Sequence, residues 1–463
     1  MDFTPDPSSW SGRSAPDIAR EFLGQDFVCP SCGRRHAVAT RAMVTRPGVE
    51  ADFEPVLRGL GISGRPLVVF DRNTFAACGE AVMNGLAPFG PTAFVIRRDD
   101  LHADEQALGS VLAAMRDGPS FLVSAGSGTV TDITRYNALR AGLPFVAYAT
   151  AASVDGFASS VTPLIVDGFK RTYPGKAPLA ILADPGVLAA APRRMTAAGF
   201  GDVLGKVVAL LDWRISHAAE DEAHCPMIDA LVDKAVQECL ALSGALARSE
   251  PAAVGSLLDI LALTGIAMQL MGTSRPASGG EHQVSHLLEM RDIQRHRAGS
   301  LHGDKVGIGT LIGMTLYLQL FGDGNLPAQR PTMTARVWED EVRRVFGPLA
   351  DSVLATNPHE PPTGADWEAQ KRRISGYMER EGFATVQGFR ALLPAAVRMI
   401  ADIGGPVRPD QLGYSVQDAC DAIGFGKEVN AAKMTVLRLA DRFGSLYGFA
   451  EDVSAGLPEG RVY

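Results

Sequence analysis

The stretch SGGEHQVSHLLEMRDIQRHRAGSLHGDK, residues 278–305, carries His282, His286, His296 and His302, four of the nine histidines in the chain. Imidazole is a common ligand of zinc-like ions and the side chain that most readily moves a proton near neutral pH. His282 and His286 stand four residues apart, so on a helix they share one face. His302 follows His282 by twenty residues, on the next helical period. A third ligand is at hand in Asp202 of AAGFGDVLGK, where glycines flank the acid and a helix begins. Three protein ligands with one open position is the usual make-up of a catalytic zinc site. Spacing alone does not choose, because an Asp at a helix start commonly caps it and a helical His is commonly solvated or satisfied in a core.

A second group of residues has the chemistry of a phosphate cradle. LVSAGSGTVTDITRY sets Gly126, Ser127 and Gly128 at the end of a predicted strand and the start of a helix. Glycine lets backbone approach a pyrophosphate, and a helix N-terminus offers N–H donors and the positive end of a dipole. Thr129 and Thr131 are candidate caps of that helix. The spacing differs from G-x-G-x-x-G and from a phosphate loop ending in GK[ST], so a bare turn stays equally open. Asp71 closes the strand of VVFDRNTF, where a carboxylate can accept from an adenosine ribose or simply cap the next helix. An acid there disfavours a 2′-phosphate, although the neighbouring Arg72 could offset it.

These residues need a scaffold, and the apolar pattern supplies one. PLVVF (66–70), TAFVIR (92–97), SFLVSAG (120–126) and PFVAYA (144–149) read as buried strands, with helices at 74–86 and 104–117 between them. Strands alternating with helices imply a parallel sheet covered on both faces. Beyond about residue 200 the strand signals cease and helical periods follow at 228–247, 252–272, 301–321, 366–381 and 385–402. The implied division is an N-terminal extension over 1–50, an α/β domain of nucleotide-binding type over 51–200 and an all-helical domain over 201–463. NPHEPPTGAD (357–366) reads as an exposed linker.

Composition narrows the class. The chain has 463 residues, 46% hydrophobic and 21% charged, with net charge −8. That is the profile of a soluble globular protein of about two domains, and the acidic balance argues against a nucleic-acid surface. No basic region followed by an apolar stretch opens the chain, and the most apolar segment, 257–271, reads as a buried helix too short to span a bilayer. Scattered cysteines suggest reduced thiols and a cytoplasmic protein. FVCPSCGRRHAV holds Cys29, Cys32 and His36, half of a zinc knuckle. With no second C-x-x-C in the chain, the favoured reading is a tight turn between two strands; a structural zinc would need a fourth ligand from elsewhere.

Five segments in order, GSGTVTDITRY, ATAASVDGFAS, AAGFGDVLGK, SRPASGGEHQVSH and LHGDKVGIGT, resemble the sn-glycerol-1-phosphate dehydrogenase family. That family is a branch of the dehydroquinate synthase-like and iron-containing alcohol dehydrogenase-like superfamily. The likeness runs from about residue 65 to 310 and is loose beyond about 325. It implies an α/β N-terminal domain with a Rossmann-like parallel sheet, followed by an all-helical C-terminal domain. It implies a divalent metal, zinc or nickel, held by Asp202, His282 and His302. NAD is the expected cofactor, with NADP the alternative, on Gly126, Ser127, Gly128, Thr129 and Val130, on Thr150, Ala151, Ala152 and Ser153, and on Ser159, with Asp71 on the adenosine side. His286, Asp155 and Asp202 are the expected catalytic and substrate-binding groups, while His296 matches nothing and reads as solvated.

The reaction so implied is reversible hydride transfer at C2 between dihydroxyacetone phosphate and sn-glycerol 1-phosphate. The metal would polarise the C2 oxygen, and His286 or a metal-held water would deliver the proton. Lys206, Arg275 and Lys305 are candidate phosphate cations. A homo-oligomer acting on a small phosphorylated substrate, without a membrane span, completes the expectation. The alternatives are a glycerol dehydrogenase, a sugar-phosphate cyclase of the dehydroquinate synthase type, and a non-enzymatic metal-stabilised binding module.

Overall fold

The runs that read as buried strands become the interior of one parallel sheet. A computed structural model describes residues 3–450 apart from 167–168, 298, 358, 360–362, 431 and 445. Its strands are β1 (Asp26–Val28), β2 (Arg35–Ala37), β3 (Ala42–Thr45), β4 (Pro66–Asp71), β5 (Thr92–Ile96), β6 (Phe121–Gly126), β7 (Phe145–Ala149), β8 (Val161–Val166), β9 (Phe169–Pro174) and β10 (Ala180–Ala183). Six of them form a sheet in the order β3-β10-β7-β6-β4-β5, parallel throughout. β6, β7 and β10 are buried at every position, which is why their sequences are nearly continuous apolar runs rather than alternating ones. Val68, Phe70, Phe121, Val123, Val146, Tyr148 and Leu182 share one side and pack on Phe53 and Val82. The edge strands β3 and β5 are only partly buried. β8 and β9 make a separate antiparallel hairpin, and β1 pairs with β2.

The helices are α1 (Ala15–Glu21), α2 (Phe53–Gly59), α3 (Arg72–Gly85), α4 (Glu105–Ala114), α5 (Gly128–Ala141), α6 (Pro185–Ala190), α7 (Arg193–Leu204), α8 (Lys206–Glu220), α9 (Pro226–Ala247), α10 (Pro251–Met271), α11 (Gly280–Gln294) and α12 (His302–Phe321). Six more follow: α13 (Ala335–Phe346), α14 (Ala350–Thr356), α15 (Gly364–Tyr377), α16 (Phe383–Ile403), α17 (Val416–Phe425) and α18 (Val436–Arg442). Of the segment that reads as an exposed linker, Pro358, Glu360, Pro361 and Pro362 lie outside the described residues. Its first residue, Asn357, is buried and donates to the Glu428 carbonyl at 2.6 Å.

The chain divides into two compact units, and the division is not in simple chain order. One unit is Met1–Val203 with Cys225–Ser274; the other is Leu204–His224 with Arg275–Tyr463. Two features depart from the periodicity reading. β3 belongs to the central sheet although its residues fall in the stretch set apart as an extension. α9 and α10 belong with the α/β unit, not with the later helices. α10 explains why: it is apolar all round, so it has no solvent face and must be enclosed. At 21 residues it is also longer than the apolar segment suggests and would span a bilayer by length and composition, yet 89% of its most apolar window is buried within the protein. Among the described residues no other helix passes that test.

Candidate active site

In the α/β unit the chain leaves β4 for β5 on one side and returns to β6 on the other. The gap between β4 and β6 is therefore the point where the strand order reverses, and ligands of open parallel sheets bind outside the strand ends at such a point. Asp71 ends β4 and Gly126 ends β6, so the two flank it. After Gly126 the chain turns at once into α5, whose N-cap is Ser127. The Ser127 side chain does not cap the helix; its hydroxyl pairs with that of Ser153 at 2.6 Å, linking this turn to the segment Thr150–Ser153 after β7. Thr129 and Thr131, read as caps, lie inside the helix instead. With no side-chain cap, the first-turn N–H groups of Gly128, Thr129 and Val130 face the strand ends as donors, which fits a pyrophosphate.

Asp71 does cap its helix: its Oδ1 accepts from the Thr74 N–H at 2.8 Å, and the Thr74 hydroxyl accepts from the Asp71 N–H at 3.0 Å. The cap occupies one carboxylate oxygen, Oδ1. Arg72 pairs with Asp99 at 2.7 Å on the surface, a contact weak enough to exchange. Beyond Ala151 and Ala152, both buried, lies the short turn Asp155–Ala158. It is held by Arg135 of α5, a fully buried guanidinium that donates to the carbonyls of Gly156, Phe157 and Val161. Ser159 accepts from the Val161 N–H at 3.1 Å. The Asp155 N–H donates to Asp202 Oδ2 at 3.0 Å.

Asp202 does not begin a helix. It sits in the last turn of α7, wholly buried, where a carboxylate opposes the helix dipole. The cap reading therefore falls away, and the acid stands where helix energetics alone would not place it.

In the other unit, α11 and α12 bring three histidines together. Ring centroids are 5.3 Å apart for His282 and His302, 5.8 Å for His286 and His302 and 5.9 Å for His282 and His286. His282 Nδ1 contacts Glu281 Oε1 at 2.7 Å, and His302 Nδ1 contacts Glu289 Oε1 at 2.8 Å. Both carboxylates are buried. A carboxylate on Nδ1 fixes the tautomer with a bare Nε2, the arrangement that orients a metal-binding imidazole. His286, Glu289 and His302 also offer ligand atoms within 4.8 Å of one another. His296 is exposed in the turn after α11, with φ +50°.

Two features hold this cluster in shape. Asp212 of α8 accepts from the Gly280 N–H at 2.7 Å and from the Val436 N–H at 2.7 Å, and also takes the Tyr317 hydroxyl, so it pins the start of α11. Burial holds the Asp212 and Glu281 carboxyls above the usual carboxylate range. Gly309 of α12 lets the two helices touch, since a Cβ there would lie 2.4 Å from the Glu281 carbonyl oxygen. Gly309→Ala should therefore part α11 from α12, costing about 1–3 kcal/mol. Thermal unfolding should show the loss, and the gain in melting temperature on adding metal should shrink with it.

The family model described as iron-containing alcohol dehydrogenase matches residues 44–192. A glycerol-1-phosphate dehydrogenase [NAD(P)+] of Geobacillus stearothermophilus is 33% identical over 395 residues, 83% of this chain and 89% of that protein. The chain belongs to the glycerol-1-phosphate dehydrogenase family. A glycerol-1-phosphate dehydrogenase [NAD(P)+] of Methanothrix thermoacetophila is 34% identical over 278 residues, 60% of this chain and 77% of its own. At the level of fold alone, a probable glycerol dehydrogenase from Sinorhizobium meliloti superposes with a TM-score of 0.59 at 18% identity, over 89% of this chain and 98% of its own. A 1,3-propanediol oxidoreductase gives the same TM-score at 16% identity, over 89% and 98%.

In this glycerol-1-phosphate dehydrogenase family member, Glu281, Glu289 and Arg135 also belong to the site although no motif marks them. Glu281 adjoins His282, and Glu289 lies one turn beyond His286. Their presence was visible in the sequence, but nothing in the spacing told them from ordinary helix-surface acids. Of the candidate phosphate cations, Arg275 is buried against Glu222 and the carbonyls of Asp212 and Met434, and Lys305 donates to the Ser300 carbonyl at 2.6 Å. Both hold the fold of their own unit. Lys206 is buried in the same unit, where its charge acts on Glu281.

Proposed function

We propose that the protein reduces dihydroxyacetone phosphate to sn-glycerol 1-phosphate, reversibly, with NADH as the preferred hydride donor and a divalent metal, zinc or nickel, on Asp202, His282 and His302. The observation that carries the metal assignment is the pair of imidazoles whose Nδ1 atoms each rest on a buried carboxylate, leaving Nε2 to coordinate. Two nitrogens and one carboxylate oxygen fit a zinc-like ion with a position left for substrate. When bound, the ion supplies Lewis acidity at the C2 oxygen and the nicotinamide supplies the hydride.

The remaining work falls to side chains and backbone. The start of α5 with Gly126 and Ser127 holds the pyrophosphate, and Thr150–Ser153 and Ser159 line the cofactor. The second oxygen of Asp71 takes the ribose. Asp155, fixed by its own N–H on Asp202, holds the substrate, and His286 exchanges the proton at the C2 oxygen.

The test is NADH oxidation by metal-loaded protein. Turnover with dihydroxyacetone phosphate well above that with dihydroxyacetone, and formation of the sn-1 enantiomer, are expected. Preference for the unphosphorylated ketone would make the protein a glycerol dehydrogenase, and cofactor binding with no net NADH consumption would favour a cyclase. In the same assay NADH should be preferred to NADPH, and Asp71→Ser should narrow the preference by roughly tenfold, about 1.4 kcal/mol. Equal use of NADPH by the unaltered protein would mean that Arg72 leaves Asp99 for the 2′-phosphate.

A further inference from the structure

The C-x-x-C turn between β1 and β2 forms as expected, but it does not stand alone. Cys225, the N-cap of α9 and distant in sequence, meets it within the same compact unit. The Sγ atoms of Cys29 and Cys225 are 3.7 Å apart, and Cys32 Sγ is 3.3 Å from His36 Nε2. One ligand atom from each of Cys29, Cys32, His36 and Cys225 lies within 4.8 Å of all the others. Two sulfurs bound tetrahedrally to zinc stand about 3.8 Å apart, and a sulfur and an imidazole nitrogen about 3.6 Å. The observed separations already match that figure closely. The thiols are unpaired by disulfide.

The surroundings are those of a ligand set rather than of chance neighbours. Cys29, His36 and Cys225 are buried, with relative exposures of 1%, 2% and 0%. Backbone N–H groups of Ser31 and Cys32 donate to Cys29 Sγ, and that of Ile228 donates to Cys225 Sγ. His36 hydrogen-bonds the Leu270 carbonyl at the end of α10, which orients the ring with Nε2 toward the sulfurs. Gly33, at φ +70°, adopts the left-handed conformation that folds the turn back under Cys29, its N–H reaching the Cys29 carbonyl at 2.8 Å.

We propose that Cys29, Cys32, His36 and Cys225 form a closed tetrahedral zinc centre, separate from the histidine cluster on α11 and α12. Four protein ligands leave no open position, so its role is structural. It fastens the N-terminal hairpin to the first turn of α9 and the last turn of α10, segments that no local contact would bring together.

Cobalt(II) reports on the two sites differently, because only this one has thiolate ligands. Full-length protein loaded with cobalt should show a sulfur-to-metal charge-transfer band in the near ultraviolet. His302→Ala should keep the band while losing the metal of the histidine cluster. Cys32→Ser, at the least buried ligand, should lose the band and one metal equivalent per chain while retaining the other. A folded wild-type protein without the band overturns the proposal, as does a Cys29–Cys225 disulfide found by mass spectrometry in protein purified under reducing conditions. Should the cysteine variants fail to fold, the wild-type spectrum still decides.

Discussion

Alanine at His282 or His302 should strip the histidine cluster of its metal and abolish turnover together, whereas alanine at His286 should leave the metal in place. Geometry makes the three hard to separate, since their rings lie within 6 Å of one another. His282 and His302 each have a buried carboxylate against Nδ1, the setting expected of a ligating imidazole. With His286, one helical turn from His282, as the proposed proton partner, its loss should lower turnover by ~10²–10⁴ at near-normal metal content. Elemental analysis beside kinetics on the three variants decides. Metal lost from His286→Ala and kept in His282→Ala would shift ligation to His286, Glu289 and His302, which also lie close enough together to bind.

A second large effect is expected at Glu289. If it orients His302 without touching the ion, Glu289→Gln should weaken metal affinity by roughly 10–100-fold, measured by competition with a chelator. At saturating metal, turnover should return close to the original, and Glu289→Asp should recover part of the affinity. A merely structural carboxylate would instead lower the melting temperature and leave affinity per folded molecule unchanged. Complete loss of binding that no metal concentration restores would make Glu289 a ligand in its own right.

How far these sites could be read in advance follows from how local their causes are. PLVVF, SFLVSAG and PFVAYA announce themselves because strands buried on both faces are mostly apolar rather than alternating. AMVT at β3 and AILA at β10 are four residues each, too short for a period to emerge, and only pairing in the sheet makes them strands. VTPLIV at β8 contains Pro163, which argues against a strand until an antiparallel hairpin accommodates it. Asp202 looked like a helix start because glycines surround it, yet Gly199 and Gly201 are inside α7. The histidines were legible as a group and ambiguous one by one. Cys225 was not legible in advance: it follows His224 in no C-x-x-C pattern, and its place in the cluster depends on a hairpin almost two hundred residues earlier.

The interleaved division of the chain also bears on how a ribosome makes it. All the strands of the α/β unit have been synthesised by Ala183, but α9 and α10, nearly every residue of the latter buried, come only after α8 has been made for the other unit. At about 5–20 residues per second, the interval from Val203 to Ser274 lasts roughly 4–14 s. During it, α8 presents Val208, Leu210, Leu211, Trp213 and Ile215 before any of α11 or α12 exists to cover them. The nascent chain therefore passes through a stage with two unfinished hydrophobic surfaces at once, and a holding chaperone would find its substrate in chains stalled between residues 204 and 274.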